Sequence, residues 1–282
     1  MERLDLKMAV ENPELFEPKS SVISDIFPCG YVDKDGGLHT EFVASELTGE
    51  EEDILAADGP VIPRMNKMIF NLLQSVGSIH DRETIADVVR KMPAVDRLVA
   101  FIAIRRATHG DIYRMLVNLP KDAAEDKKRY TVNLASLERT TMKEPERRHR
   151  SDKLKTGPVM HWHVMDGTDE IWLDKIRERT KGEHNVTLQI LSRLDGIDDY
   201  KVKRGDVTAD TRLLSEALKT NLDVLKKLPT RVRNEMRAKF DEIEGTIDLS
   251  LEFSYENKKG EQDFFKSMLD VRQREFFFPA ET

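Results

Sequence analysis

The sequence predicts an α+β protein in which one unit occurs twice, each copy made of a β-hairpin, several helices and a C-terminal two-strand element. Gly49 and Gly167 each lie in a turn that opens an acidic helical segment, and they are 118 positions apart (167 − 49). Ile79 and Ile197 share this separation of 118 positions (197 − 79). Two anchors in one register favour an internal repeat over coincidence between short motifs.

A third pair of anchors has a slightly shifted spacing. Pro93 opens a helical segment that ends at Gly110, and Pro229 opens one that ends at Gly245, with spacings of 17 (110 − 93) and 16 (245 − 229) residues. Proline favours the start of a helix and glycine its end, so both segments carry the same boundary signals. We therefore expect the two units to share their order of elements, and such repeats are more typical of scaffolds than of enzymes.

The composition is that of a charge-rich globular protein. The 282 residues are 39% hydrophobic and 34% charged, a length that suits one large domain or two of ordinary size. The formal net charge of −7 argues against a general nucleic-acid binder, although local basic patches remain compatible with it. There is no run of about 18 apolar residues, so no membrane span is predicted. The N-terminus lacks the apolar core of a signal peptide, and the single cysteine, Cys29, permits no intrachain disulfide; both fit a reducing cytoplasm.

The first unit is predicted to span residues 22–138, after a polar leader at residues 1–21. The turn at residues 33–37 contains Asp-Gly and Gly-Gly pairs, which favour a β-hairpin. Thr48 then caps a helix, and Glu51, three positions later, completes a capping box. Helices are expected at residues 62–76, 82–91 and 93–110, and strands at residues 24–32, 38–44, 113–119 and 129–134.

The second unit is predicted at residues 157–282 and repeats this order. Residues 139–156 are polar and end in a basic run, so they are predicted to be a basic linker between the two copies. An insertion at about residues 200–210 separates two of the helices. Strands are expected at residues 159–164, 247–255 and 263–268, and helices at residues 169–179, 184–194, 211–227 and 230–244.

Two histidines on one predicted strand form a candidate metal site. His161 and His163 point to the same face, because side chains two positions apart on a strand do so. His184 or Asp166 could contribute in three dimensions, but no third ligand stands at a diagnostic spacing. A structural strand face is therefore the favoured interpretation, and we expect no tightly bound metal ion at these histidines.

Arginines in the helix at residues 93–110 form a candidate partner-binding surface. Arg97 and Arg105 are eight positions apart, which is near two helical turns, and Arg106 adjoins them. Their expected counterpart is the acidic first turn at residues 50–53 rather than a nucleic acid. The basic run at residues 147–150 could contact phosphate, but a solvated linker is the favoured interpretation.

Three successive aromatic residues near the C-terminus, Phe276, Phe277 and Phe278, form a second candidate contact. In an extended segment alternate side chains point to opposite sides, so the three cannot all pack on one surface. Either neighbouring elements enclose the segment or it docks on another chain. Both alternatives predict that the segment is mostly buried.

Motifs of common enzymes do not occur in the sequence. There is no Gly-rich phosphate loop, nucleophile elbow, HExxH or CxxC. We therefore predict no catalytic residue, no cofactor and no small-molecule substrate, although an enzyme with dispersed residues would escape such a motif search.

Several segments together resemble a known family. They are the hairpin, Leu47-Thr48-Gly49-Glu50-Glu51-Glu52, Asp96-Arg97, Arg105-Arg106-Ala107-Thr108-His109-Gly110-Asp111, the two-strand unit and the ending Phe276-Phe277-Phe278-Pro279. In this order they are similar to the T4-type phage baseplate hub assembly family of contractile-tailed phages. Members often carry a Cys-Pro-x-Cys metal-type turn between the last two strands. This chain has no cysteine in the corresponding turns, at residues 119–122 and 254–257, so a zinc knuckle is not carried over.

The resemblance implies a non-enzymatic morphogenesis protein. Such a protein assembles, or forms part of, the baseplate or hub of a contractile tail through contacts with other phage tail or baseplate proteins. It would be found in the host cytoplasm during assembly, or in the virion. Two alternatives stay open: a tail-assembly chaperone that is absent from the finished particle, and a metal- or nucleic-acid-binding module that uses His161 and His163 or the arginine helix.

Overall fold

The computed structural model describes residues 21–58, 61–179, 181, 185–198, 202–203, 216–271 and 274–277. Its fold is α+β, as predicted. Among the described helices, none is both long enough and apolar enough to cross a membrane. The predicted leader, apart from Ser21, and Phe278 lie outside the described residues.

The first half contains a three-stranded antiparallel sheet, helices, and a separate two-stranded hairpin. The hairpin predicted around residues 33–37 is present, and a third strand pairs with its second arm. The elements are strands β1 (Val22–Val32), β2 (Leu38–Ser45) and β3 (Leu73–Val76), helices α1 (Gly49–Ala56), α2 (Val61–Leu72), α3 (Arg82–Arg90) and α4 (Ala94–His109), and hairpin strands β4 (Ile112–Asn118) and β5 (Lys127–Asn133).

Side-chain caps fix the starts of two of these helices. The predicted capping box at α1 is present, with Thr48 and Glu51 each bonded to the other's backbone. Asp81 caps α3, where its carboxylate accepts the backbone N–H of Thr84 at 2.8 Å. Both caps supply acceptors for N–H groups that have no partner within the helix, which is why the helices begin where they do.

The predicted helix at residues 62–76 is shorter than expected. Its last four residues form β3 instead, because their backbone groups pair with β2. Gly77 then turns the chain with φ +55°, and a Cβ at this position would lie 2.6 Å from Nδ1 of His39. Glycine is therefore required directly after β3.

The second half repeats this layout around a four-stranded sheet with the strand order β10-β9-β8-β7. The helix predicted at residues 184–194 is also shorter than expected, since it ends at Leu191 and Leu194 is already the first residue of a strand. The elements are strands β7 (His149–Lys153), β8 (Val159–His163), β9 (Leu194–Ile197) and β10 (Val202–Lys203), helices α5 (Gly167–Arg179), α6 (Asn185–Leu191), α7 (Glu216–Lys227) and α8 (Thr230–Ile243), hairpin strands β12 (Ser250–Glu256) and β13 (Gln262–Met268), and a short terminal helix α9 (Arg274–Phe277).

The segment at residues 139–156 is not a simple linker, which corrects the sequence prediction. It contains β6 (Arg139–Thr140), which pairs with β11 (Thr246–Ile247), and β7, the first strand of the second half's sheet. Arg150 on β7 is buried and donates to the carbonyl of Glu144 at 2.8 Å. A basic residue can occupy this position because its terminal nitrogens donate to the carbonyls of Lys143 and Glu144 and to the Glu144 carboxylate, and composition alone does not reveal such acceptors.

The two halves pair their third strands in the same way. The ladder contacts are Phe42↔Val76 and Ala44↔Leu73 in the first half, and Met160↔Ile197 and Trp162↔Leu194 in the second, each with a register shift in between. Ile197 therefore takes the ladder position of Val76, so the predicted correspondence of Ile197 with Ile79 is wrong by three residues (79 − 76). The shared order and pairing are what a tandem duplication would produce, and the duplication itself stays a prediction.

The halves share their hydrophobic cores. The first core lies between the first sheet and α2–α4, and the end of the chain completes it with Phe253, Leu269, Val271, Phe276 and Phe277. The second core surrounds the fully buried Trp162 and includes Cys29 and Met142, which precede the second sheet in the chain. Each core is thus built from both parts of the sequence.

The end of the chain should be essential for stability. Phe276 is fully buried, and its ring centroid lies 5.2 Å from those of Tyr113 and Phe277. We expect Phe276→Ala to lower the free energy of unfolding by about 3–5 kcal/mol, because it leaves a cavity in the first core. Urea unfolding measures this change.

The matched control is Phe264→Ala, which truncates a phenylalanine that is 64% exposed on β13. It should change the free energy of unfolding by about 0.5 kcal/mol or less. Equal effects of the two substitutions would contradict the placement of Phe276 in the core.

Candidate functional site

The arginine and phenylalanine residues predicted to contact a partner are mostly inside the molecule. Arg97 is 3% exposed, and its guanidinium donates to the carbonyl of Met92 at 2.9 Å and pairs with Glu170 on α5. The expected acidic counterpart at residues 50–53 is therefore corrected to Glu170 in the second half. This ion pair joins the two halves and is not available to another chain.

Arg105 holds the end of the chain in place. Its Nε donates to the carbonyl of Phe276 at 2.8 Å, and burial lowers the pKa of its guanidinium. Arg106 lies nearer the surface, where it pairs with Asp25 at 3.1 Å and with Asp111 at 2.7 Å. Arg105 and Phe276 make their contacts within the chain, so they cannot form the predicted partner surface. Phe277 is buried beside them.

Cys29 is not a nucleophile in this fold. The thiol is buried, and burial raises its pKa, so that it stays protonated. Its backbone N–H donates at 2.8 Å to Asp96, whose pKa burial raises to about 7. This cysteine is a small apolar member of the second core.

A cavity of about 1000 Å³ lies between the halves, and its lining carries charges of both signs. Arg97 and Glu170 meet at its wall, and Arg193 is held there by two bonds to Glu244 at 2.8 and 3.0 Å. Since these opposite charges neutralise one another, the cavity has no marked preference for an anionic or a cationic ligand.

The hairpins β4–β5 and β12–β13 present exposed apolar side chains. On β4, Ile112 and Leu116 are 49% and 59% exposed, and on β13, Phe264 and Met268 are 64% and 70% exposed. Strand residues alternate between the two sides, and the alternate residues Tyr113 and Val117 of β4 are buried while Phe265 and Ser267 of β13 are half-buried. Ile112 and Leu116 are four positions apart on β4, and so are Phe264 and Met268 on β13, so each pair lies on one side of its strand.

A cluster of imidazoles and carboxylates lies on one face of the β7–β8–β9 sheet. His149 on β7 and His163 on β8 are directly paired across the strands, and their ring centroids are 5.7 Å apart. Asp195, at the register shift of β9, reaches both rings: one carboxylate oxygen lies 3.0 Å from Nδ1 of His149 and the other 2.9 Å from Nδ1 of His163. One residue from each of three adjacent strands thus meets at one point.

Helix α5, which follows β8, contributes a further carboxylate that contacts this cluster. Nε2 of His163 lies 3.1 Å from a carboxylate oxygen of Asp169. Asp169 also accepts the backbone N–H of Asp166 at 3.0 Å, while Asp166 accepts that of Asp169 at 3.1 Å. This reciprocal pair is a capping box made of two aspartates, equivalent in sequence to Thr48 and Glu51 in the first half.

The sequence singles out His163 as a candidate ligand and names Asp166 as a further one, but not the other members of this cluster. His161 shares the face with His163, as expected, but bonds instead to Asp198 at 3.2 Å and to Ser151 at 2.8 Å. His149 was assigned to the linker, and Asp195 carried no signal. Their meeting depends on strand pairing and on the register shift, so sequence spacing could not reveal it.

The electrostatics of the cluster favour positive charge. Burial opposes ionisation of Asp195, but hydrogen bonds from His163 and His149 outweigh it and lower its pKa to about 2. Burial and the neighbouring charge of Asp169 raise the pKa of Asp166. Several carboxyl groups therefore face two imidazoles, an arrangement in which an added cation is stabilised.

Comparison with known proteins identifies no relative: no family model, no curated protein and no solved structure matches the chain. The function is therefore inferred from the geometry of the chain and from the resemblance of its motifs.

The stability of the fold should depend on the ionisation of Asp195 at acid pH. A carboxylate whose pKa is lower in the folded protein than in the unfolded chain, here about 2 against 3.8, stabilises the fold above pH 4 and loses this effect as the pH falls to 2. Its side chain is 33% exposed, so solvent screening reduces the contribution to about 1 kcal/mol.

Urea unfolding at a series of pH values, with EDTA present, measures this contribution. Between pH 4 and pH 2 the free energy of unfolding should fall by about 1 kcal/mol more in the wild type than in Asp195→Asn. Parallel curves for the two proteins over this range would contradict it.

Proposed function

We propose that the chain is a non-enzymatic morphogenesis protein that assembles, or forms part of, the baseplate or hub of a contractile phage tail through protein–protein contacts. The proposal that the chain acts through protein–protein contacts rests on the exposed apolar side chains of the two hairpins, β4–β5 and β12–β13. The tail context is supported by the resemblance of the motifs quoted above to the T4-type hub assembly family.

The exposed side chains are large enough to supply useful affinity. Burying a leucine, isoleucine, methionine or phenylalanine on association contributes about 1.5–3 kcal/mol. Four such side chains are about half exposed or more: Ile112, Leu116, Phe264 and Met268. Most of the free energy of burying them would therefore be gained on binding a partner. A few anchors of this kind dominate the binding energy of a typical interface.

The charge of the first hairpin indicates the chemistry of the partner. Every charged residue of β4 and β5 is basic: Arg114, Lys127, Lys128 and Arg129. Leu116 pairs across the strands with Arg129, so an apolar anchor and a cation stand side by side on the outer face. The partner surface we propose is therefore apolar at its centre and rich in carboxylates around it.

The backbone offers a second means of contact. β4 pairs with β5, and β12 pairs with β13, each in a two-stranded sheet. A strand of a tail protein could extend such a sheet by adding to its outer edge, and its side chains would then lie beside the exposed ones on the same face. Two related hairpins in one chain also allow two sites to be engaged at once, which raises the apparent affinity.

The burial of Arg97, Arg105, Phe276 and Phe277 limits where a partner can bind. The arginine helix and the phenylalanine tail stabilise the chain itself, so the contact surface is proposed on the hairpins instead. The protein would act in the host cytoplasm during assembly and, if it stays bound, in the baseplate of the virion. Mass spectrometry of purified particles separates a virion component from an assembly factor that is absent from the finished particle.

Charge substitutions on the hairpins test the contact surface. Leu116→Glu and Phe264→Glu should leave the melting temperature near that of the wild type, because both side chains already face solvent. They should abolish or strongly weaken co-purification when the chain is co-expressed, one at a time, with the tail and baseplate proteins of the same phage, because a carboxylate would have to be desolvated in the interface.

The matched control is Val186→Glu, which changes another exposed apolar residue, 48% exposed, that lies on helix α6 rather than on a hairpin. It should bind as the wild type does. The proposal fails if no tail protein binds the wild type, or if the hairpin variants bind as tightly as the control.

A further inference from the structure

We propose that His149, His163 and Asp195 bind one divalent transition-metal ion of the zinc type. From the sequence no tightly bound ion is expected at His161 and His163, because a third ligand is missing; the site proposed here keeps His163 and replaces His161 with His149 and Asp195. In the structure, the nitrogen and oxygen ligand atoms of His149, His163 and Asp195 all lie within 4.8 Å of one another.

The geometry is close to that of a bound site. Zinc bonds to histidine nitrogen and carboxylate oxygen are about 2.0–2.2 Å long, which places neighbouring ligand atoms of a tetrahedral site roughly 3.3 Å apart. Nδ1 of His149 and Nδ1 of His163 lie 3.0 and 2.9 Å from the oxygens of Asp195. These two contacts go to different oxygens of Asp195, so the exposed ring of His149 has to turn for its nitrogen, one oxygen of Asp195 and Nδ1 of His163 to meet at one ion.

Two imidazoles and one carboxylate suit zinc more than magnesium or calcium, which prefer oxygen ligands alone. The side chain of His149 is 77% exposed, so the site opens to solvent and a water molecule can complete the tetrahedron. The same exposure leaves His149 free to turn its ring toward the ion.

The surroundings of His163 match those of a metal ligand. Metal-bound histidines usually donate their second ring N–H to a carboxylate or a carbonyl group, which fixes the ring and its tautomer. Asp169 takes this position at Nε2 of His163, and the capping box with Asp166 fixes Asp169 in turn. Nδ1 is thereby oriented toward Asp195 and the proposed ion.

The first half provides an internal comparison. Equivalent ladder positions place Val22 at the site of His149, Ser45 at that of His163 and Gln74, at the same register shift, at that of Asp195. Valine, serine and glutamine form no zinc site, yet the sheet has the same pairing there. The strand arrangement therefore does not require two histidines and an aspartate. Metal binding accounts for their presence at these positions of the second half.

Isothermal titration of the EDTA-treated and dialysed full chain with zinc chloride tests the site. We expect one ion per chain. His149→Val and Asp195→Gln, which install the residues of the first half, should each weaken binding by more than the roughly 10–100-fold that the loss of an outer-shell partner costs. Circular dichroism establishes that both variants remain folded.

The matched control is His161→Val. It removes an imidazole from the same face of β8 and installs the residue found at the equivalent position, Val43, but it leaves the proposed ligands in place. Zinc should bind this variant as it binds the wild type and should raise the melting temperature of both, but not that of His149→Val, because the ion ties three strands together.

Three results would overturn the site. They are a wild type that takes up no zinc, a His149→Val variant that binds as tightly as the wild type, and a His161→Val variant that loses binding to the same extent as His149→Val. The first two would show that the cluster is only a network of hydrogen-bonded ion pairs, and the third would move the ion to His161. None of these outcomes bears on the hairpin contacts, which are tested separately.

Discussion

The closure of the first core by Phe276 and Phe277, from the segment after the second hairpin, is the constraint on which the rest of the structure depends. Phe276 and Phe277 occupy the interior of the first half, and Arg105 fixes the carbonyl of Phe276 from the middle of α4. A buried guanidinium is costly unless its donors find acceptors, so the backbone of the tail and the arginine need each other. The first half is therefore complete only when the second half has reached its end.

This closure explains why the halves interlock rather than follow one another as separate domains. β6 before the second sheet pairs with β11 near the end, and Arg97 is neutralised by Glu170 across the boundary. The hairpins also meet directly, where Tyr130 donates to the carbonyl of Ser254 at 2.7 Å. Residues predicted from the sequence to contact a partner, such as Arg97, Arg105 and Phe276, are used for contacts within the chain.

The two sheets show how one backbone arrangement can carry different chemistry. A register shift interrupts the third strand of each sheet, and the residue at the shift is Gln74 in one half and Asp195 in the other. Such shifts re-aim a side chain without destroying the ladder. In the second half this places a carboxylate between two imidazoles, whereas in the first half the same place carries no ionisable group.

The sequence by itself determined what depends on neighbouring residues. The Asp-Gly turn of the first hairpin, the capping box of Thr48 and Glu51, and the helices bounded by Pro93 and Pro229 all follow from signals within a few positions. The α+β class and the recurring order of elements follow from these. Tertiary structure decided the rest, because the end of the helix predicted at residues 62–76 becomes a strand only by pairing with β2, and β7 forms within a segment of linker-like composition only by pairing with β8. It also decided the burial of Arg105 and the meeting of His149, His163 and Asp195, since the acceptors and ligands involved come from segments that no local pattern connects.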